Sequence, residues 1–148
     1  MNLQTKYQGE VEINSHDIIT FDNGIPGFLD EREFIILPLP DNKAISILQS
    51  VNTSELAFVI ADPFIFFKDY EFSLDDQTIH QLEVKDETEI YVKVILTIQD
   101  PFNKSTANLQ GPIIVNTNIN KAKQLILKNS VYKTKHPLFN ENIESVKG

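Results

Sequence analysis

At 148 residues, with a formal net charge of −8 and no cysteine, the chain is the length of one domain and long enough to bury one core. Disulfides, thiolate metal sites and cysteine nucleophiles are excluded. The charge is uneven, with nine acids against two bases over residues 62–89 and seven bases against two acids over residues 101–148. Backbone phosphates are repelled by such an acidic middle, which suits a basic protein partner better than nucleic acid. The plain alternative is a solvated acidic surface that keeps the protein soluble. No apolar run approaches the roughly 18 residues of a membrane-spanning helix. The opening Met1-Asn2-Leu3-Gln4-Thr5-Lys6 lacks the basic-then-apolar design of a secretory signal, so a cytosolic protein is expected.

Along the chain the apolar residues recur with period two or in short continuous runs. Tyr7, Val11 and Ile13 alternate with polar residues, and a run follows at 18–21. Asn23-Gly24 and Pro26-Gly27 then punctuate the chain. Pro26 presets φ and Gly27 permits positive φ, as a type II turn requires. Gly24-Ile25-Pro26-Gly27 lacks the spacing and the following helix of a phosphate loop. The bend places Ile25 and Phe28 on either side of it and offers one of the two as a surface anchor, with Ile25 carried forward as the candidate. A helical turn is predicted at 30–33. Further strand runs occupy 34–39, 45–51 and 57–61, with Pro40-Asp41-Asn42 between the first two.

The run 57–61 breaks at Asp62-Pro63 and opens into a stretch with Phe64, Phe66 and Phe67 beside Asp62, Lys68, Asp69 and Glu71. One reading is core filling, with Phe64 and Phe66 on one face. The other is an apolar anchor inside a charged rim, as at protein interfaces. Ser73 with Asp76 three residues later matches a capping box, and Leu74, Ile79 and Leu82 give the following helix an apolar face. The paired carboxylates Asp75-Asp76 then fall at a helix start, where they complement its dipole. The longest strand is predicted at 89–99, then strands at 112–117 and 124–128. Asp100-Pro101 and Asn118-Ile119-Asn120 are the turns between them. Many short strands with regular turn signals indicate an antiparallel β-sandwich or barrel with one or two short helices, hence a mostly β single domain. Residues 1–139 form that domain, and the polar tail at 140–148 is expected to be flexible.

No catalytic set stands out. His16, His80 and His136 share no metal-ligand spacing, and no serine lies in a Gly-x-Ser-x-Gly elbow. Neither metal nor cofactor is expected, nor an enzyme. The basic end (Lys121, Lys123, Lys128, Lys133, Lys135) has only Tyr132 interleaved as a stacking platform, so a solvated surface is favoured over RNA binding there.

Four words in the chain resemble one family. They are Phe21-Asp22-Asn23-Gly24-Ile25-Pro26-Gly27-Phe28, the stretch from Leu48-Gln49-Ser50 through Ala57-Phe58-Val59-Ile60-Ala61-Asp62-Pro63 to Asp69-Tyr70-Glu71, the run from Thr106 to Asn116, and the ending from Gln124 through His136-Pro137-Leu138. In this order, over residues 3–139, they are similar to the FliW flagellar assembly factors. Gly111 stands where that pattern has Ala, and Asn52-Thr53 replaces a more acidic pair. The resemblance implies a small bacterial protein that binds flagellin. When flagellin is exported, the freed protein binds the RNA-binding regulator CsrA, at a second, allosteric site, and stops it repressing flagellin translation. On this basis Asp69, Glu71, Asp75 and Asp76 are expected to supply an acidic field and Phe64 and Phe67 an apolar anchor, with Tyr70 and Ile25 completing the candidate set. The free protein is expected to be monomeric. Two rival classes are a chaperone-like module that binds flagellin alone and a β-barrel nucleic-acid binder.

Overall fold

The computed structural model describes residues 1–128 and 130–139; the tail expected at 140–148 lies outside the described residues. β1 (Asn2–Gln4) and β2 (Glu10–Glu12) pair as an antiparallel hairpin. β3 (Ile19–Phe21), β4 (Glu33–Leu39), β5 (Asn42–Ser50) and β6 (Ala57–Ala61) follow as an antiparallel meander. Two short helices, α1 (Pro63–Phe66) and α2 (Asp76–Gln81), precede β7 (Ile90–Thr97). β8 (Thr106–Ala107), β9 (Ile113–Asn116), β10 (Lys121–Gln124) and β11 (His136–Pro137) complete the order.

Closure depends on β7. Its Val94 and Ile95 pair with Ala61 and Ile60 of β6, while its Ile90–Lys93 half pairs with β9. β9 pairs antiparallel with β10, and β10 runs parallel to β3 through Lys121↔Thr20 and Ala122↔Phe21. The ring β3-β4-β5-β6-β7-β9-β10 is therefore a closed seven-stranded barrel, which removes the exposed edges of an open sheet over most of its length. The fold class is the expected one, with a single parallel contact added.

The barrel interior draws a residue from nearly every strand: Phe21, Phe34, Leu48, Ile60, Ile113, Val115 and Ala122, with Ile95 of β7 packed beside them. Phe21 meets Phe34 edge-on, ring centroids 5.3 Å apart, an arrangement aromatic quadrupoles favour. Three satellite clusters cover the outside. The β1–β2 hairpin brings Leu3 and Ile13 onto Ile35, Leu37 and Ile47. Tyr70 and Leu138 join Val94, Leu96 and Leu109, and Leu82 joins Ile114 and Leu125.

The Pro26-Gly27 turn forms as the residues dictate: Phe28 N donates to Ile25 O at 2.7 Å, and Gly27 has φ +89°. At Gly24 (φ +70°) a side chain would run into the Leu29 carbonyl. Four local expectations differ. Residues 30–33 form no helix, because Phe21 N takes the Arg32 carbonyl at 2.7 Å and β4 begins at Glu33. The Asp62-Pro63 break opens a helix, α1. The cap of α2 is Asp75 rather than Ser73. The last ring strand is Lys121–Gln124 rather than 124–128, although Leu125 N and Leu127 N still donate at 2.8 Å to Pro112 O and Gln110 O.

Candidate functional site

The segment between β6 and β7 builds the site. At Asp62 the chain leaves β6. The Asp62 carboxylate accepts from Phe64 N at 2.9 Å, and Pro63 takes the first helical position, a pairing of cap and ring that starts a helix because Pro has no amide to lose. This turns Phe64 and Ile65 outward, 44% and 56% exposed. Phe66 and Phe67 instead turn inward, against the Tyr70 cluster. Phe67 meets His136 edge-on at 5.3 Å. His136 is held below the usual histidine range by burial and then by nearby Lys133.

Tyr70 is the fixed point of the segment. It is 4% exposed, and its hydroxyl donates to Leu109 O at 2.7 Å. Burial, and then neighbouring Tyr132, push its ionisation up, so it stays a neutral donor. Its ring touches Phe64, Phe72 and Tyr132 at 5.9, 5.4 and 4.7 Å. Next to it, Glu71 N donates to the Tyr132 hydroxyl at 3.0 Å, which pins the backbone while the Glu71 side chain stays in solvent.

Two grooves flank this segment. One, of about 620 Å³, has Phe64, Phe72, Leu74, Ile79 and Val84 as apolar wall, Asp62 and Glu71 as acidic lip, and Ile90, Tyr91, Val92 and Lys93 of β7 along one side. The other, of about 670 Å³, shares Glu71, Phe72 and Ser73 and adds Asp75, Lys123, Lys128 and Tyr132. Asp69, Glu71, Asp75 and Asp76 are all exposed. Thr78, beside it and donating its N–H, holds the Asp75 carboxyl below its ordinary range, with Lys123 nearby adding to the effect. Asp75 thus both caps α2, at 3.3 Å from Thr78 N, and contributes charge.

The expected site residues are therefore divided. Phe64, Asp69, Glu71, Asp75 and Asp76 are exposed on one segment, and Phe67 is half-buried. Tyr70 lies beneath them as a support. Ile25 is not an anchor: at 1% exposure it belongs to the barrel core, because the turn directs it inward and leaves Phe28 and Leu29 outside. Ile65 and Tyr91, both 56% exposed, were missed. Asp62-Pro63 was the available signal for Ile65, since a cap followed by Pro at the first position predicts a helix rather than a loop. Tyr91 carried no signal, because its exposure depends on β6 ending opposite it. Chemically the surface offers apolar contact, negative charge and backbone groups, which suit a polypeptide. Among the described residues no three acidic, histidine or cysteine side chains gather to hold a metal ion, and no helix is long and apolar enough to cross a membrane.

Comparison with known proteins places this architecture. A family model described as "FliW protein" matches residues 2–138. The flagellar assembly factor FliW of Geobacillus thermodenitrificans is 51% identical over 143 residues, covering 97% of this chain and 99% of that protein. The flagellar assembly factor FliW of Bacillus subtilis (strain 168) is 49% identical over 142 residues, covering 96% and 99%. A crystal structure of the flagellar assembly factor FliW superposes with a TM-score of 0.91 at 48% identity, covering 95% of this chain and 98% of that one. With the whole barrel and all four sequence words inside these matches, the chain belongs to the FliW family of flagellar assembly factors.

Proposed function

We propose that this protein is a cytosolic partner switch, with residues 1–139 as its functional module. It is held by flagellin while flagellin accumulates, and it binds CsrA once flagellin is exported. Bound CsrA then no longer represses translation of flagellin mRNA. The observation that carries this reading is the apolar groove with an acidic lip built by residues 62–76. A protein that binds RNA must present Lys and Arg to phosphates, and such a surface is attracted to Asp69, Glu71, Asp75 and Asp76. Phe64, with Ile65 beside it, supplies exposed apolar area for the contact.

Antagonism needs no overlap with the RNA. A like-charged surface placed near bound RNA raises the free energy of that complex, so binding beside the RNA site is sufficient. This favours the allosteric form of the mechanism over direct occlusion.

Calorimetric titration of the protein into CsrA from the same organism, with and without flagellin, tests the switch. The expected result is saturable binding that flagellin abolishes. Absence of heat, with no co-elution on sizing, would leave a flagellin-only chaperone and return the acidic segment to a solubility role.

A further inference from the structure

Where β6 stops short along β7 the barrel wall opens, and the opening lies in the groove. Ile95 O accepts from Asn108 N at 2.9 Å, which turns the backbone groups of Ile95 toward the β8–β9 side. Backbone groups alternate along a strand, so Lys93 and Tyr91 also face β9, and Val94, Val92 and Ile90 face the other edge. Two further bonds fit this assignment. Leu125 N donates to Pro112 O at 2.8 Å and Asp62 N to Ala44 O at 3.3 Å. By the same alternation these leave Ile113 and Val115 facing β7 from β9, and Ala61 facing it from β6. Val94 therefore meets Ala61. β6 ends there, and the chain peels away at Asp62 into α1.

The N–H and C=O of Val92 and the C=O of Ile90 are left facing the groove. Among the described residues none of these groups has a backbone partner across that edge. All four residues Ile90–Lys93 line the groove, as happens when a strand is seen edge-on, since side chains alone would show only alternate residues. On the Ile90–Val92 face the edge is bordered by Phe72, Leu74 and Val84. Tyr91 and Lys93 stand on the opposite face. An unpaired strand edge is a template for another strand, and pairing with it uses main-chain bonds for affinity and alternate side chains for selectivity.

We propose that this edge of β7 is completed by an extended segment of a basic protein partner, which adds as a strand beside Val92. Its alternate apolar residues enter the Phe72–Leu74–Val84 wall, and its Lys or Arg side chains meet Asp62 and Glu71. The charge of the lip selects the occupant: two acids line the groove against the single base Lys93, and exposed Asp69, Asp75 and Asp76 belong to the same segment. This deepens the partner-switch reading and rests on it, giving the acidic groove a binding mode.

Residue-resolved amide exchange by NMR on the full chain tests it, using CsrA and flagellin separately as probes at concentrations that calorimetry shows to be saturating. In the free protein the Val92 amide exchanges fast, while the Tyr91 and Lys93 amides, bonded to β9, are slow. With CsrA the Val92 amide slows by at least about tenfold, and intermolecular amide–α NOEs appear at Val92. Calorimetric binding without either change overturns strand addition and leaves the partner switch standing. No binding of either probe overturns both. Protection of Val92 already in the free protein overturns the proposal by assigning the edge to this chain's own residues. Protection by flagellin but not by CsrA overturns the choice of a basic partner.

Discussion

The Tyr70 hydroxyl donates to the Leu109 carbonyl at 2.7 Å in a buried setting. A buried carbonyl left without its donor incurs its full desolvation cost. Tyr70→Phe keeps the ring contacts with Phe64, Phe72 and Tyr132 and removes only that donor. The expected outcome is a loss of about 1–3 kcal/mol, read as a lower urea midpoint at unchanged slope. An unchanged midpoint would mean that water replaces the phenol. Other residues of the family words act in the same structural way. Gln49 is fully buried, accepts from Lys6 N at 2.9 Å, and donates to Ser50 O and Ser54 O at 3.0 and 3.1 Å. Asn116 donates to Leu82 O at 2.8 Å, tying the end of α2 to β9. Gly111 stands where the family pattern has Ala; a Cβ there would lie 2.8 Å from the Gln124 amide and 2.9 Å from that of Asn108. The glycine lets those two amides close around the β8–β9 connection. The words that identify the family are thus mostly words about the fold, and the exposed acids proposed to face a partner lie among and after them.

At the scale of elements, α2 is the piece most sensitive to charge. It has six residues and depends on its cap, because so short a helix has little cooperative stability of its own. Asp75→Ala is expected to cost about 1 kcal/mol near neutral pH. The pH dependence follows from the lowered carboxyl. In the unfolded chain Asp75 titrates near its ordinary value, about 3.9; in the folded protein it stays ionised to lower pH. Its contribution is therefore complete above the unfolded value and lost as pH falls through the lower folded one. Urea midpoints of the wild type and Asp75→Ala, measured from pH 7 to pH 3, are expected to converge at the acid end. A constant gap would mean that the cap acts without its charge. The same helix shows where the sequence was legible. Its existence followed from local spacing, but its first residue and its buried face did not: Ser73 and Asp75 both satisfy the chemistry of a cap, and within Asp76–Gln81 the buried residue is Thr78 while Ile79 is exposed. The turn at Ile25–Phe28 was legible, since Pro and Gly fix backbone angles by themselves. Helix α1 was obscured by three phenylalanines whose spacing reads as core filling along a strand or as a surface anchor. Neither the parallel β3–β10 contact nor the change of partner along β7 has a local signal. Both depend on where other strands stop, so the groove beside Ile90–Lys93 was out of reach of the sequence.

At the scale of the molecule, charge separates along the chain more than across the fold. The acidic segment 62–89 packs against β9 and β10, whose flanks carry Lys121, Lys123 and Lys128. Some of this charge is spent internally: Lys121 pairs with Asp22 at 3.1 Å, and Lys123 donates to Gln81 at 2.8 Å and lies near Asp75. Exposed pairs of this kind add little stability, but they reduce the field that Asp75 presents. Glu71 and Asp76, like Asp69 exposed and without an ion pair among the described residues, therefore have more to offer a partner than Asp75. Reversing both to Lys leaves the caps of α1 and α2 and the Tyr70 anchor in place, so the fold is expected to survive, with a stability loss on the order of 1 kcal/mol from placing Lys in the first turn of α2, against the helix dipole. Affinity for CsrA is expected to fall on the order of tenfold at low salt, mainly through slower association. Because the Debye length is about 8 Å at physiological ionic strength and about 3 Å at 1 M, the wild type and the variant are expected to approach each other as salt rises. The wild type thus has the steeper salt dependence, and the variant a flattened one. Titrations at three salt concentrations decide the matter. Parallel salt slopes at equal affinity would remove these two acids from the interface and leave the apolar pair Phe64 and Ile65, with the edge of β7, as the determinants of binding.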